Sequence, residues 1–508
     1  MNPRLRIIGR GATGLGLAAL SGILITLAFP PYNFWPFIWI GFVPGIVAQF
    51  RVMPPRASGL AYGVMIGGFF WGYFGPMFAG TIWFMEWLPL IVGIIAALLS
   101  NGDRVFHERT GYRWFVLHGA VVWVGIEAMR GFLPVIGTGG FVAYALYDQP
   151  WLLQPVGLFS IYGLSLLVML VNYALGACVI ALMDRPRPLG APMAGISAGF
   201  AWRWGIGVAA VLPAWVALSV SLLGQAAAPG PSIRVAAVQP AGSPSSELHL
   251  QKLIAQTRQA AAQGAQLVVW PEGALAFDPR VSHTAQLRAL VRETGVYLAL
   301  GYAVHSAAGW RNEALLVAPD GRFQGPYGKD HPVVWLGETS LTGGTYPTFQ
   351  THLGTIGIII CYDLNFTDTA RKITANGARL IAVPSNDWPG LAEKQYTNLA
   401  LRAVENRVTL IKADSRYDSA VIDPTGRIVS RAIAATARQN IVVASVPLGQ
   451  ANAPLIALQD WVGWLCIAGV GGFIVLAQRA GRRGAKAGTA QHGTAPRPAT
   501  PAGTAPSL

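Results

Sequence analysis

Eight long apolar stretches constrain this chain more than anything else in it. They run over about 11–29, 34–50, 58–80, 86–100, 114–129, 157–182, 205–223 and 457–477. A segment of ~20 mostly apolar residues is long enough to cross a bilayer as a helix. The first seven define an N-terminal membrane domain over 1–223, and the eighth is a C-terminal membrane helix. Between them, residues 233–449 have the mixed composition of a water-soluble domain, joined by a short linker, 224–232. Residues 487–508 are rich in Ala, Pro, Gly and Thr, cannot bury a core, and are expected to be a disordered tail.

The charges orient this arrangement. The chain has a formal net charge of +14. A basic excess can serve nucleic acid, but here it sits in alternate loops. Arg4, Arg6 and Arg10 precede the first stretch. Arg51 and Arg56 follow the second, Arg104, Arg109 and Arg113 the fourth, and Arg185, Arg187 and Arg203 the sixth. Arg479, Arg482, Arg483 and Lys486 follow the eighth. The other short loops hold almost none, Arg130 being the main exception. Positive loops stay inside. The expectation is a multi-pass protein of a bacterial inner membrane with both termini cytoplasmic and the soluble domain on the outer face. The partner is then a lipid bilayer and not nucleic acid. The three cysteines, Cys178, Cys361 and Cys466, suggest no disulfide framework, because two lie in apolar stretches.

The soluble part alternates. "IRVAAVQP", "QLVVWPE", "VYLALGYAV", "EALLVAPDG", "TIGIIICYD", "RLIAVPSND", "VTLIKAD", "SAVIDPTGRIV" and "NIVVASVPL" read as strands; 247–262, 282–294, the stretch "FTDTARKITANGA" and about 391–406 read as helices. Continuous Val/Ile/Leu runs between helices imply sheets covered on both faces. The fold class is thus a multi-pass α-helical bundle plus an extracytoplasmic α/β domain. Polar residues recur just past strand ends, where α/β sheets place their sites: Glu272, Cys361 and Asn386.

Glu272, Lys329 and Cys361 are the parts of a nucleophilic site: a base, a positive charge for an oxyanion, and a thiol. Each has a plainer reading. Cys361 after an aliphatic run is equally a core thiol, Glu272 a solvated turn, and Lys329 a surface charge. Glu338 orients Lys329, polarises the thiol, or is a surface carboxylate. Tyr362 either packs or offers a backbone N–H to an oxyanion. Trp335 lines an acyl pocket or sits at an interface. Glu127 and Arg130 read best as a structural ion pair. His331 has no carboxylate or second His at metal spacing in the sequence, so no metal and no cofactor is expected.

The ordered set "WPE", the Lys329 loop with "GE", "ICYD", "SND" and "RAVENR" resembles the nitrilase (carbon–nitrogen hydrolase) superfamily. With "LAFPPYNFWPFIWIGFVP", "EAMRG" and "LLQPVGLFSIYGLSLLVMLVNYAL", the chain from about 15 to 478 resembles its membrane-bound branch, the apolipoprotein N-acyltransferases. The resemblance implies a nitrilase-like α-β-β-α sandwich on a membrane bundle. It implies Glu272 as base, Lys329 as oxyanion stabiliser and Cys361 as nucleophile. It further implies a phospholipid acyl donor and a diacylated lipoprotein acceptor, in a protein expected to be a monomer. The chain departs from the family pattern in its Lys329 loop, at Asp363 in place of Glu, and in "SNDWPG". An alternative is a membrane-anchored nitrilase-type amidase that hydrolyses a small amide or nitrile, and another is a non-enzymatic scaffold.

Overall fold

The computed structural model describes residues 3–80, 83–184, 195–226, 232–242, 247–434 and 436–492. Arg185 and Arg187, most of the expected linker (227–231), and residues 493–508 of the expected tail lie outside them.

The N-terminal part is a bundle of apolar helices: Pro3–Leu27, Ser58–Phe78, Leu88–Ser100, Phe115–Gly131, Val156–Asp184 and Ala198–Ala226, joined by Trp461–His492 from the other end of the chain. The last of these overlaps the start of the stretch read as a tail. Among the described residues, six segments are long and apolar enough to cross a membrane: 5–27, 35–52, 85–109, 156–184, 198–226 and 455–482. Ser58–Phe78 and Phe115–Gly131 pack among them.

The second segment is not one helix. It breaks into Trp35–Trp39, Val43–Val47 and Ala48–Val52, because Pro36 and Pro44 remove backbone donors. Side chains satisfy the donors set free near the breaks. Phe42 N donates to Asn172 Oδ1 at 3.1 Å, and Gly45 N to Ser21 Oγ at 2.7 Å. Small residues bring helices together elsewhere. A Cβ on Gly63 would stand 2.5 Å from Gly93 O of the neighbouring helix. The basic residues of alternate loops gather at one pole. Arg10 donates to Arg51 O at 3.0 Å, Arg51 pairs with Asp184 at 2.9 Å, and Arg104 donates to Met53 O at 2.9 Å.

Among the described residues the soluble domain has twelve strands: β1 Ser232–Gln239, β2 Leu267–Val269, β3 Tyr297–Ser306, β4 Gly309–Val317, β5 Phe323–Gly328, β6 Thr348–Thr351, β7 Gly354–Ile358, β8 Leu380–Ser385, β9 Thr409–Asp414, β10 Asp418–Ile422, β11 Ile428–Ile433 and β12 Asn440–Pro447. They form two six-stranded sheets, ordered β12-β1-β2-β3-β4-β5 and β11-β10-β9-β8-β7-β6. Side-chain alternation explains the unbroken aliphatic runs. Val235 and Ala237 of β1 face the core between the sheets, whereas Ala236 and Val238 lie under the helices Glu247–Ala262 and Thr284–Thr294. The second sheet is covered by Asp368–Ala375 and Pro389–Asn406. Thus α-β-β-α layering follows from strands that are apolar on both faces.

Pro389–Asn406 also stands against Val156–Asp184 of the bundle, and this junction is polar and buried. Val156–Asp184 is interrupted at Ser160, whose φ is 61°. Glu405 accepts from Ile161 N at 3.1 Å across that break, and pairs with the fully buried Arg402 at 3.0 Å. Asp460 accepts from Ser160 Oγ at 2.8 Å, Thr367 Oγ1 at 2.6 Å and Arg371 Nη2 at 2.8 Å. The bundle and the α/β domain are therefore bolted together by partnered charges.

Candidate active site

The carboxyl ends of β2, β7 and β8 converge. Glu272 follows β2, and its N–H donates to Ser385 O, the last residue of β8, at 3.2 Å. Cys361 follows β7 with φ 43° and opens a single 3₁₀ turn, Cys361–Asn365. A left-handed conformation is costly for any residue with a Cβ. Here it is over-determined by Asp363. Asp363 Oδ2 accepts from Ile360 N at 2.8 Å and from Tyr327 OH at 2.6 Å, and Asp363 Oδ1 accepts from His331 N at 2.8 Å and Asp330 N at 3.1 Å. Gln395 Nε2 donates to Cys361 O at 3.1 Å. The turn is thus held from three sides, with Cys361 at 5% exposure.

Lys329 lies just beyond β5. Its ammonium donates to Glu272 Oε1 at 2.8 Å and to Glu338 Oε2 at 2.8 Å. Asn312 of β4 bridges the same two carboxylates, at 2.6 Å to Glu272 and 2.5 Å to Glu338. Glu338 also accepts from Val333 N at 2.8 Å. Glu338 is therefore buried in the cluster and orients Lys329; it is not a surface carboxylate.

The electrostatics are those of a closed site. Burial raises the Glu272 carboxyl, Lys329 pulls it down, and Glu338 pushes it up again; the net direction is up. Burial alone would lower Lys329, but Glu272, the Cys361 thiolate and Glu338 outweigh it and hold the ammonium well above the ordinary lysine value. Burial, then Glu272 and Asp387, push the Cys361 thiol up, against Lys329 and the Asn386 N–H. A proton acceptor of raised affinity, a fixed cation and a protonated thiol thus sit within one another's fields.

One neighbour was not visible beforehand. The Cys361 thiol donates to Asp387 Oδ1 at 3.3 Å. Behind Asp387 lies Lys412, with contacts of 2.8 Å to Asp387 and 2.6 Å to Asp418, and Asp414 at 3.8 Å. Lys412, Asp414 and Asp418 are fully buried. Burial raises Asp414 to about 6 and Asp418 well above the usual carboxylate range. Lys412 and Asp414 are two apart on β9 and so share a face; that spacing was the available signal.

Tyr362 acts through its side chain: its OH donates to Val135 O at 2.6 Å. Trp335 Nε1 donates to the same oxygen at 3.0 Å. Trp335 stands edge-on to Phe78 and to Trp388, each at 5.6 Å. An aromatic wall therefore runs from the thiol turn to the end of Ser58–Phe78. Val334 and Leu336, which flank Trp335, are nearly half exposed.

Glu127 and Arg130 do not pair directly. Glu127 Oε1 accepts from Val142 N at 2.9 Å and Trp123 Nε1 at 3.0 Å, while Arg130 donates to Gly139 O at 2.7 Å. His331 does gain carboxylates from the fold: Asp368 is 3.0 Å away and Asp330 is adjacent. Asp330, His331 and Asp368 could converge on a cation, as could Asp387, Asp414 and Asp418. In each group an ammonium already serves the carboxylates, Lys372 at 2.7 Å from Asp368 and Lys412 in the second.

Two family models match the chain in series. The apolipoprotein N-acyltransferase N-terminal domain matches residues 21–174, and the carbon–nitrogen hydrolase domain matches 234–453. An apolipoprotein N-acyltransferase of Geobacter metallireducens is 26% identical over 523 aligned residues, covering 91% of this chain and 95% of that protein. A nitrilase of Pyrococcus abyssi is 32% identical over 184 residues, covering 32% of this chain and 66% of that one. Among solved structures, an amidase from Nesterenkonia sp. AN1 in complex with acrylamide aligns with 45% of this chain and 94% of its own, at 21% identity and a TM-score of 0.38. With one family domain over its bundle, the other over its two-sheet layer, and relatives of the same name along most of its length, the chain is similar from end to end to the apolipoprotein N-acyltransferases.

Proposed function

We propose that this protein N-acylates lipoproteins, moving a fatty acyl chain from a membrane phospholipid through a Cys361 thioester to the N-terminal amine of a diacylglyceryl-cysteine acceptor. Relatives that carry the name over most of the chain support lipoprotein N-acylation. The observation that carries the finer reading is the seat of the thiol. Cys361 stands where the α/β domain meets the apolar bundle, with Tyr362 and Trp335 anchored on Val135 O.

The geometry supports the following steps. Glu272 accepts the Cys361 proton as the sulfur attacks the ester carbonyl carbon. Lys329 stabilises the oxyanion. The tetrahedral intermediate collapses, the ester C–O bond breaks, and Glu272 returns the proton to the departing lysophospholipid oxygen. The acceptor amine then attacks the thioester, loses a proton to Glu272, and the sulfur leaves to be reprotonated. Lys329 keeps its charge throughout, because two carboxylates hold it.

The helices able to cross a membrane, and the gathering of Arg10, Arg51 and Arg104 at the pole away from the α/β domain, support an inner-membrane protein with its termini inside and this domain outside. Both substrates would then share one leaflet. Hydrolysis of small amides is less well supported. Asp363 differs from the family's Glu, but its oxygens are engaged by four donors and are poorly placed to activate water.

Intact mass of the detergent-purified protein after incubation with phospholipid is the test. A thioester-sized adduct is expected on wild type and not on Cys361→Ala, discharged by a diacylated lipopeptide onto its amine. Discharge by water alone would make the protein a hydrolase. The same adduct on Cys361→Ala would remove Cys361 from the chemistry.

A further inference from the structure

A second polar feature lies far from the thiol. Arg379 immediately precedes β8 and Arg407 ends the helix Pro389–Asn406, so both are at the opposite end of β8 from Asn386, roughly 20 Å away for a six-residue strand. A cleft of about 360 Å³ opens beside them. Its other walls come from the bundle and the domain edge: Leu158, Leu222, Ala226 and Leu448 are among them.

Arg407 is 9% exposed. Its guanidinium donates to the Gln154 side chain and, at 3.1 Å, to Gln154 O. Both partners are neutral. Among the described residues no carboxylate pairs with it: Glu405 is held by Arg402 and Asp423 by Arg427, each at 3.0 Å. Burial without a counter-charge pulls Arg407 down to about 10. Arg407 also holds a left-handed backbone, φ 54°, at a helix end where glycine is usual. Arg379 donates through Nε to Gly449 O at 2.6 Å, and among the described residues its terminal nitrogens have no partner. A buried cation normally has an anion. Among the described residues of this domain Lys329, Lys412 and Arg402 each have one, and Lys394, buried without a carboxylate, lies 5.4 Å over the Tyr73 ring; Arg407 has neither.

We propose that this cleft binds a phospholipid, its phosphate between Arg379 and Arg407 and its acyl chains along Leu158 and Leu222. The inference rests on the membrane reading above, since it needs the ends of Val156–Asp184 and Ala198–Ala226 to stand at head-group level. Two guanidiniums match a phosphodiester in charge and fork geometry. The apolar side of the cleft leads onto Ala198–Ala226, a helix left largely open along its length. The bound lipid is not the acyl donor, because the thiol lies at the other end of the sheet. It acts as a wedge that supplies the junction's missing negative charge.

Native mass spectrometry of the full chain in detergent tests this, in a Cys361→Ala background so that no acyl group is transferred. The probes are dioleoyl-phosphatidylglycerol, dioleoylglycerol, and inorganic phosphate. The Arg379→Gln/Arg407→Gln protein is expected to retain one phospholipid fewer, with at least about tenfold weaker retention. Dioleoylglycerol should not distinguish the two proteins. Equal phospholipid retention would overturn the proposal, as would the same difference with dioleoylglycerol. Complete displacement by millimolar phosphate would make this an ion site and overturn the lipid assignment. Arg379→Gln alone alters an exposed side chain, so it should fold; if it retains phospholipid as its parent does, the proposal fails whatever Arg407→Gln does. A wild-type protein that forms no thioester would sink the acyl-transfer reading and leave this lipid count standing.

Discussion

Replacing Asp387 by Asn should make Cys361 more reactive at neutral pH. The Asp387 carboxylate lies 3.3 Å from the sulfur with both groups buried. Two unit charges at that separation repel by about 5 kcal/mol at an effective dielectric of about 20. Lys412, 2.8 Å behind the carboxylate, attracts the thiolate equally in both proteins, so the substitution removes the whole repulsion of about 5 kcal/mol, an upper value of between about three and four pKa units. Asn keeps the shape and removes the charge. Lys412 stays paired with Asp418 at 2.6 Å, so the cluster does not collapse.

The assay is alkylation by iodoacetamide followed by intact mass, across pH, with Cys178 and Cys466 replaced by Ala. The thiolate is the reacting species. The alkylation midpoint of Asp387→Asn should therefore fall by at least about one unit, and its rate at pH 7 should rise by roughly tenfold or more. An unchanged midpoint, or one that moves up, would refute the reasoning: Asp387 would then act on the thiol only as a hydrogen-bond acceptor and not through its charge.

Glu338→Gln removes a negative neighbour that raises Glu272; the rising limb of the pH profile for thioester formation should shift down by about one unit, and no shift would show that Glu338 only positions Lys329. His331 is lowered by burial but raised overall by Asp368, Asp363 and Asp330. A histidine raised in the folded state contributes stability below its unfolded value of about 6.5 and loses it as pH climbs through the folded value. His331→Gln should therefore destabilise the protein by about 1 kcal/mol more at pH 6 than at pH 9, as read from denaturant midpoints; equal losses would exclude the charge. Lys412→Met should cost about 3–5 kcal/mol, since it strands three buried carboxylates, and should be partly rescued as pH falls, because Asp414, which burial raises and Lys412 holds down, then takes up a proton more readily; an unchanged thermal midpoint would mean that those groups are already protonated.

How much of this was legible depends on what kind of signal carried it. The α/β domain was readable because strands buried on both faces leave continuous aliphatic runs, and because Glu272 and Cys361 interrupt those runs at their ends. The helix Glu247–Ala262 and the pair β10–β11 follow the pattern closely. The stretch read as a span over 34–50 is long and apolar enough to cross a membrane, as 35–52, but hydropathy counts apolar residues and is blind to Pro36 and Pro44, so the interruption after Trp39 does not show in it. Asn312 was illegible because it sits mid-strand in "WRNEALLV", where only the register that brings Lys329 N to Asn312 O, 2.9 Å, gives it a role. Asp387 lay within a quoted motif, yet its partner depends on β8 pairing with β9, which sets Ser385 opposite Asp414 and Val383 opposite Lys412. Local spacing finds residues that act at strand ends. It does not find those whose meaning is a contact across strands.

The same distinction explains why the junction was invisible in the sequence and why it matters to the chemistry. Arg402, Glu405, Arg371 and Asp460 are spread over 90 residues and read individually as surface charges. Folded, they bridge Pro389–Asn406, Asp368–Ala375, the break at Ser160 and the start of Trp461–His492. Desolvating so many charges is worthwhile only if the geometry they fix is needed, because apolar packing could hold two domains together at lower cost. What they fix is the height and tilt of the 3₁₀ turn at Cys361 over the bundle, since Pro389–Asn406 supplies both Glu405 to the break and Gln395 to the Cys361 carbonyl. On the proposed acyl transfer, the thiol meets an ester anchored in a bilayer at one usable height, and this helix is the ruler that sets it.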